Sequence, residues 1–223
     1  MQSQPASRPV RWIAWWALAA AAATAWQGPS LLRDMRPPGD VVVDFYQEWA
    51  SARNFLSGAP VYESQRESCR RYLGCAPAGE THFFLEVNAH PPTAVLLGLP
   101  LAPLDYPTAV LVWNLVSLVA LGVSIWLIAR QLGVRLNLRM ILPAVVFVML
   151  CWPLRSHLAQ GQLVTVLLLL VSGAWAADRS DREFLAGALL GVATALKLFP
   201  ALLFLHFVFR GRWRALAAGL ACV

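Results

Sequence analysis

Long apolar stretches, separated by short polar turns, run through most of the chain. Because a helix needs about 20 mostly apolar residues to cross the hydrocarbon core, these stretches predict an all-α, multi-pass membrane protein. We expect a single transmembrane domain over residues 1–223 that forms the N-terminal portion of a longer protein, since the last apolar run has no polar tail. The predicted spans are 12–32, 108–129, 140–154, 163–177, a stretch over 184–209 and a truncated span from 215.

Composition supports this class. The chain is 58% hydrophobic and 13% charged, whereas soluble domains average roughly 45–50% and about 25%. The net charge of +6 then predicts membrane topology and not nucleic-acid binding. Ala23-Thr24-Ala25 has the A-x-A form of a signal-peptidase site, so a cleaved signal peptide is the alternative to a first span. The later apolar spans predict a membrane protein whether or not the first one is cleaved.

The stretch over 184–209 is long enough for one span, but the charges oppose that reading. If Arg130–Arg139 is cytoplasmic, a single span would leave the basic turn 210–214 outside. A break at Lys197, beside the helix-breaking Pro200, removes the conflict. Broken helices at membrane depth are tolerated where they face protein or a water-filled cavity, so we expect a cavity at Lys197. The resulting pair of short helices covers 184–196 and 199–209.

By the same topology, residues 33–92 form a loop outside the cytoplasm. Within it, residues 43–57 predict an amphipathic helix that lies at the membrane surface with its apolar side down. Asp44 and Glu48 lie one turn apart on an adjoining face of this helix. They are either two solvated acids or a carboxylate placed beside a membrane cavity, as a general base requires.

The loop also contains two further patterns. Cys69 and Cys75 are either a disulfide, which an oxidising compartment would favour, or two unpaired thiols. His82, Glu86 and His90 are spaced four residues apart, so on a helix they would share a face as metal ligands. A Pro-Pro pair follows at once and no H-E-x-x-H motif is present, so we expect no metal and no cofactor.

Four stretches, taken in this order, resemble glycosyltransferase family 87. Its members are polytopic enzymes of the GT-C architecture, mannosyltransferases among them, that use polyprenyl-phosphate sugars. The stretches are Asp44-Phe45-Tyr46 through Pro60-Val61-Tyr62; His90-Pro91-Pro92 through Trp113; Gly161-Gln162; and Ala186-Gly187 through Lys197 and Pro200 to the Arg210–Arg214 turn.

The resemblance implies sugar transfer, most simply of mannose, from a polyprenyl-phosphate donor to a lipid or glycan acceptor. Transfer would occur with inversion at the outer face of a bacterial plasma membrane. The family's catalytic base matches Asp44, with Glu48 as the alternate. For the donor phosphate, Lys197 is the candidate, since a lone ammonium at membrane depth needs a partner. A structural role, paired to an internal carboxylate or to carbonyls, is its alternative.

Further candidates follow from the resemblance and from the predicted side of the membrane. Arg155 could be a second phosphate donor or an interface anchor. His90 and Gln162 could contact the sugar or merely cap their helices, and Tyr46 is a third substrate-binding candidate.

A transporter or a lipid-linked-sugar flippase is the rival function, because broken helices with a buried charge also occur there. A non-catalytic scaffold would leave Lys197 and the Asp44 helix unexplained. Inverted repeats would favour the transporter, and the sequence has none that we detect. The enzyme hypothesis requires Asp44 and Lys197 to face one cavity.

Overall fold

The computed structural model describes residues 8–39, 41–74 and 87–223, with side chains from residue 11 onward. Every regular element in these ranges is helical, which confirms the all-α class for the described part of the chain. The α-helices are α1 (Arg8–Met35), α2 (Tyr46–Ser57), α3 (Gln65–Leu73), α4 (Pro92–Gly98), α5 (Tyr106–Gln131), α6 (Leu138–Leu150), α7 (Trp152–Gln160), α8 (Val164–Arg179), α9 (Glu183–Leu196), α10 (Phe204–Phe209) and α11 (Trp213–Leu220). Short 3-10 helices cover Leu99–Leu101 and Phe199–Leu203.

Within the described ranges, α5 is the one unbroken helix that is both long and apolar enough to cross a membrane. Helices α6 and α7 would form a second such span if counted together, although the chain bends by 62° between them. The bend follows from Cys151, whose backbone is extended, and from the proline at position 153. The predicted span 140–154 therefore runs across a bend. That the other helices cross the membrane stays a prediction.

The chain turns back on itself at Lys197. Helix α9 ends at Leu196, and Lys197 is extended, with φ −156° and ψ 132°. A 3-10 helix with Pro200 in its first turn then leads into α10. Arg212, just after α10, donates to Asp181 at 2.8 Å and to Glu183 at 3.1 Å, at the start of α9. Segment 199–209 therefore runs antiparallel to α9.

Small residues let α9 and α11 pack backbone to backbone. A Cβ added at Gly187 would overlap the carbonyl oxygen of Ala215, and one at Gly191 would overlap that of Gly219. The four-residue spacing on both helices is the small-xxx-small pattern through which membrane helices approach closely. This contact fixes α9 against α11.

The apolar side of α2 faces protein. Phe45, Trp49 and Ala52 are fully buried, while Leu56 at the far end of the helix is 60% exposed. We expected this side to lie on lipid. The difference arises because the aromatic rings of α5 provide the apolar surface instead: the Tyr106 ring lies 5.2 Å from that of Trp49.

Replacing Gly187 by alanine should destabilise the fold, because the added methyl group meets backbone that cannot rotate away. We expect a loss of roughly 1–3 kcal/mol, measured as the melting temperature of the detergent-solubilised protein. Gly122→Ala is the matched control, since a Cβ at Gly122, inside α5, has nothing within 4 Å. That control should melt at the same temperature or slightly above the unchanged protein. Equal melting temperatures for the two variants would contradict the packing described.

Candidate functional site

A small polar pocket lies where four separate segments meet: the start of α2, the loop before α4, the α7–α8 turn and the end of α9. Its volume is about 30 Å³. The lining brings together most of the residues singled out in the sequence. They are Asp44, Glu48, His90, Gly161, Gln162, Leu163 and Lys197.

Asp44 is held in place by its neighbours on both sides. The backbone N–H of Val43 donates to the Tyr106 hydroxyl at 2.9 Å, and that of Phe45 donates to the carbonyl of Gln160 at 3.2 Å. The Phe45 ring stacks on Trp113, with 4.9 Å between the centroids and 10° between the planes. The two anchored neighbours leave the Asp44 carboxylate facing the pocket.

Gly161 forms the opposite wall, and only glycine fits there. Its φ is +64°, and a Cβ would lie 2.8 Å from the Cβ of Phe45. Its carbonyl accepts a 2.7 Å hydrogen bond from the indole N–H of Trp113. The next residue, Gln162, donates from Nε2 to Oδ2 of Asp44 at 3.1 Å. One oxygen of the Asp44 carboxylate is therefore engaged by a neutral amide.

Glu48 and His90 form a close pair behind Asp44. Oε1 of Glu48 lies 2.5 Å from Nδ1 of His90, and the Glu48 side chain is 2% exposed. Neither atom makes a hydrogen bond of regular geometry to any described residue, so this close contact is the one polar contact recorded for either atom there. Burial raises the pKa of Glu48, with His90 partly opposing that shift. The Glu48 carboxylate in turn raises the pKa of His90.

The loop that carries His90 is fastened to α2 by Asn88. The Asn88 amide donates to the carbonyl of Gln47 at 3.1 Å and to the Ser51 hydroxyl at 3.0 Å. Its own oxygen accepts from the His90 N–H at 2.8 Å, and the Tyr62 hydroxyl donates to the His90 carbonyl at 3.1 Å. Sequence reasoning missed Asn88. The available signal was its position two residues before His90-Pro91-Pro92. An asparagine side chain there can accept a hydrogen bond from the backbone N–H two residues on.

Lys197 reaches the pocket from the end of α9. That end is fixed by the Thr93 hydroxyl, which donates to the carbonyl of Ala195, and by Leu196, which lies in the core with Phe45. Within the described ranges, the ammonium of Lys197 makes no ion pair or hydrogen bond. The alternative of a structural lysine paired to an internal carboxylate therefore has no partner in this part of the chain.

Two predicted site residues lie away from the pocket. Tyr46 is fully buried in the aromatic core, where its hydroxyl donates to Ser68 at 3.2 Å. The guanidinium of Arg155 bonds α1 instead, with 2.7 Å to the Ser30 hydroxyl and 3.4 Å to Asp34. Motif membership and side of the membrane suggested these residues. Neither criterion says which way a side chain points on its helix.

Three residues of the earlier hypotheses, Cys75, His82 and Glu86, lie outside the described residues. The Cys69–Cys75 disulfide therefore stays a prediction. Across the ranges that are described, no three His, Cys or acidic side chains are grouped as metal ligands would be.

Comparison with protein families matches residues 88–223 to the model of glycosyltransferase family 87, which covers more than half of the chain. The chain belongs to glycosyltransferase family 87. Two relatives within family 87 illustrate the similarity. One is the polyprenol-phosphate-mannose-dependent alpha-(1-2)-phosphatidylinositol mannoside mannosyltransferase of Mycobacterium tuberculosis, 31% identical over 96% of this chain and 49% of the relative.

The other is the polyprenol-phosphate-mannose-dependent alpha-(1-2)-phosphatidylinositol pentamannoside mannosyltransferase of Mycolicibacterium smegmatis. It is 30% identical over 65% of this chain and 34% of its own length. The chain thus spans about half the length, or less, of the curated relatives it matches. No solved structure matches it.

Gly161→Ala should destabilise the protein at this pocket. Two penalties add up: a left-handed conformation without glycine costs about 1–2 kcal/mol, and crowding against Phe45 adds roughly 1–3 kcal/mol. Gly74→Ala is the matched control, since Gly74 also has a positive φ of +69° but no atom of the described residues within 4 Å of an added Cβ. Thermal unfolding should show the larger loss for Gly161→Ala. Equal losses would mean that the Phe45 contact contributes nothing.

Proposed function

We propose that this member of glycosyltransferase family 87 transfers mannose from polyprenyl-phosphate-mannose to a lipid or glycan acceptor. The relatives named above carry that donor, and a phosphatidylinositol mannoside acceptor, in their own descriptions. The observation that carries the proposal is the shared pocket. Asp44 and Lys197, about 150 residues apart in the sequence, both line it, together with Gln162.

In the proposed reaction Asp44 is the general base. Its carboxylate takes the proton from an acceptor hydroxyl as that oxygen attacks the anomeric carbon of mannose. The bond from the anomeric carbon to the phosphate oxygen breaks on the opposite face, so the configuration inverts. The polyprenyl phosphate leaves with the bonding electrons. A positioned base of this kind contributes about 10²–10⁴-fold to the rate.

Gln162 prepares Asp44 for this role. An amide that donates to Oδ2 fixes the orientation of the carboxylate and leaves Oδ1 for the acceptor hydroxyl. Lys197 binds the donor phosphate, because an ammonium with no ion-pair partner in the described structure attracts the strongest anion that the reaction offers. Its charge also stabilises the phosphate as it leaves.

We place the pocket at the outer face of a bacterial plasma membrane, within a GT-C-like bundle of spans. Helices α5 and α8 both begin beside the pocket, and α8 ends at the acidic turn that binds Arg212. The Arg-rich turns after α5 and α10 then lie at the far end, where the positive-inside rule puts the cytoplasm. The family match favours this transferase function over the transporter or flippase alternative.

Asp44→Asn should abolish most mannosyl transfer, because the amide cannot accept the proton at neutral pH. We expect a fall in kcat of about 10²–10⁴-fold with little change in the donor KM, in membranes supplied with radiolabelled polyprenyl-phosphate-mannose. Asp181→Asn is the matched control, since that side chain is 80% exposed and lies at the far end of α8. Full activity of Asp44→Asn would move the base to Glu48 or to a residue beyond this chain.

Lys197→Met should weaken donor binding while leaving the fold intact, because methionine keeps the stem and removes the charge. The expected result is a rise in donor KM of about tenfold or more, the value of one hydrogen bond to a charged group. Lys197→Arg retains the cation and should recover most of the affinity. Equal donor KM values for methionine, arginine and the unchanged lysine would remove Lys197 from the phosphate site.

A further inference from the structure

The proposed reaction assigns no role to the close pair formed by Glu48 and His90. It needs a single base, yet two carboxylates line the pocket, and Glu48 is buried beneath His90. A buried carboxylate with one close partner is poorly placed to receive a proton from an acceptor hydroxyl. The position of Glu48 instead fits a role in setting the protonation of the His90 imidazole.

The short contact constrains where the hydrogens of His90 lie. A proton shared between Oε1 of Glu48 and Nδ1 of His90 can rest on either atom. While the pair holds a second hydrogen as well, that hydrogen is on Nε2 of the ring whichever atom holds the shared one; once it is lost, Nδ1 keeps the remaining hydrogen and Nε2 is bare. Nε2 has no hydrogen-bond partner among the described residues, and His90 lines the pocket with Lys197. The pair therefore presents an N–H donor to whatever enters.

We propose that Glu48 is a positioning residue that keeps His90 protonated at Nε2, so that His90 donates a hydrogen bond to the donor phosphate beside Lys197. This inference rests on the proposed function. It also gives His90 the role of second phosphate donor that the sequence suggested for Arg155, whose guanidinium is held by α1.

The charges facing His90 come from two elements. The N-terminal end of α2 contributes Glu48 and, just before the helix, Asp44; both favour a proton on the ring, whereas Lys197 at the end of α9 opposes it. The α7–α8 turn contributes the neutral Gln162, and α4, which follows His90, contains no titratable side chain. The net effect is a raised pKa for His90, because the contact with Glu48 is the largest of these influences.

The pH dependence follows from the raised pKa of His90. Binding that uses the Nε2 hydrogen is fully present below the ordinary histidine range and is lost as the pH rises through the raised pKa. Replacing Glu48 by glutamine removes the largest cause of that rise and leaves burial and Lys197, which lower the pKa of His90, opposed only by the smaller effect of Asp44. The alkaline loss of donor affinity should then move to lower pH.

The first test is an NMR titration of protein labelled at histidine, with the His90 signal assigned by its absence in His90→Gln. Glu48→Gln should lower the midpoint of His90 by about one pH unit or more. Glu67→Gln, on the exposed side of α3, is the control and should leave it unchanged. An unchanged midpoint in Glu48→Gln overturns the proposal. This readout needs no transfer activity, so it stands apart from the proposed function.

The second test measures binding of polyprenyl-phosphate-mannose between about pH 5 and pH 9, a range in which its phosphodiester keeps one charge. The unchanged protein should bind more weakly as His90 loses its proton. In Glu48→Gln the loss of donor affinity should occur at lower pH. His90→Gln should bind the donor about tenfold more weakly than the unchanged protein at every pH below the midpoint of His90. The same pH profile in Glu48→Gln as in the unchanged protein overturns the proposal.

If Glu48→Gln does not fold, Glu48→Asp takes its place. The shorter carboxylate should retain part of the upward shift and yield a midpoint between those of the unchanged protein and of ordinary histidine. A midpoint for His90 in the unchanged protein at or below the ordinary value overturns the proposal without any variant. Absence of donor binding at every pH would count against the proposed function and leave the NMR result to decide the role of Glu48.

Discussion

The contact of Gly161 with Phe45 and Trp113 is the packing on which the pocket depends. It joins three distant segments: the entry to α2, the N-terminal part of α5 and the turn between α7 and α8. The stacked rings, the hydrogen bond from Trp113 to the Gly161 carbonyl and the one from the Phe45 N–H to Gln160 all act at this point. Without it, Asp44 and Gln162 would have no fixed distance between them.

The fourth segment reaches the pocket by a different route. Lys197 lies at the end of α9, and α9 is placed by close contact with α11 and by the return of the chain after Pro200. Small residues at Gly187 and Gly191 allow the backbones to touch, so the helix has little freedom to slide. The position of one ammonium at the pocket thus depends on packing along the whole length of α9.

The sequence predicted these features unequally well. Charge placement located the break at Lys197, since a single helix over 184–209 would have put basic residues on the wrong side. Helical spacing located α2 but not its partner, because an apolar face looks the same whether it meets lipid or the rings of α5. Arg155 and Tyr46 were misplaced for a related reason: a motif gives a position in the chain, and the direction of a side chain depends on neighbours distant in sequence.

The walls of the pocket come from segments that lie far apart in the sequence and are therefore synthesised at different times. About 100 residues separate the end of α2 from Gly161 in the α7–α8 turn, and about 140 separate it from Lys197. The rings of α5 that cover Phe45 and Trp49 come earlier, at Trp113 and Tyr106. The pocket is therefore complete only after α9 and Lys197 have been made. A nascent chain halted before Gly161 would contain the acids of the pocket but neither its opposite wall nor its cation.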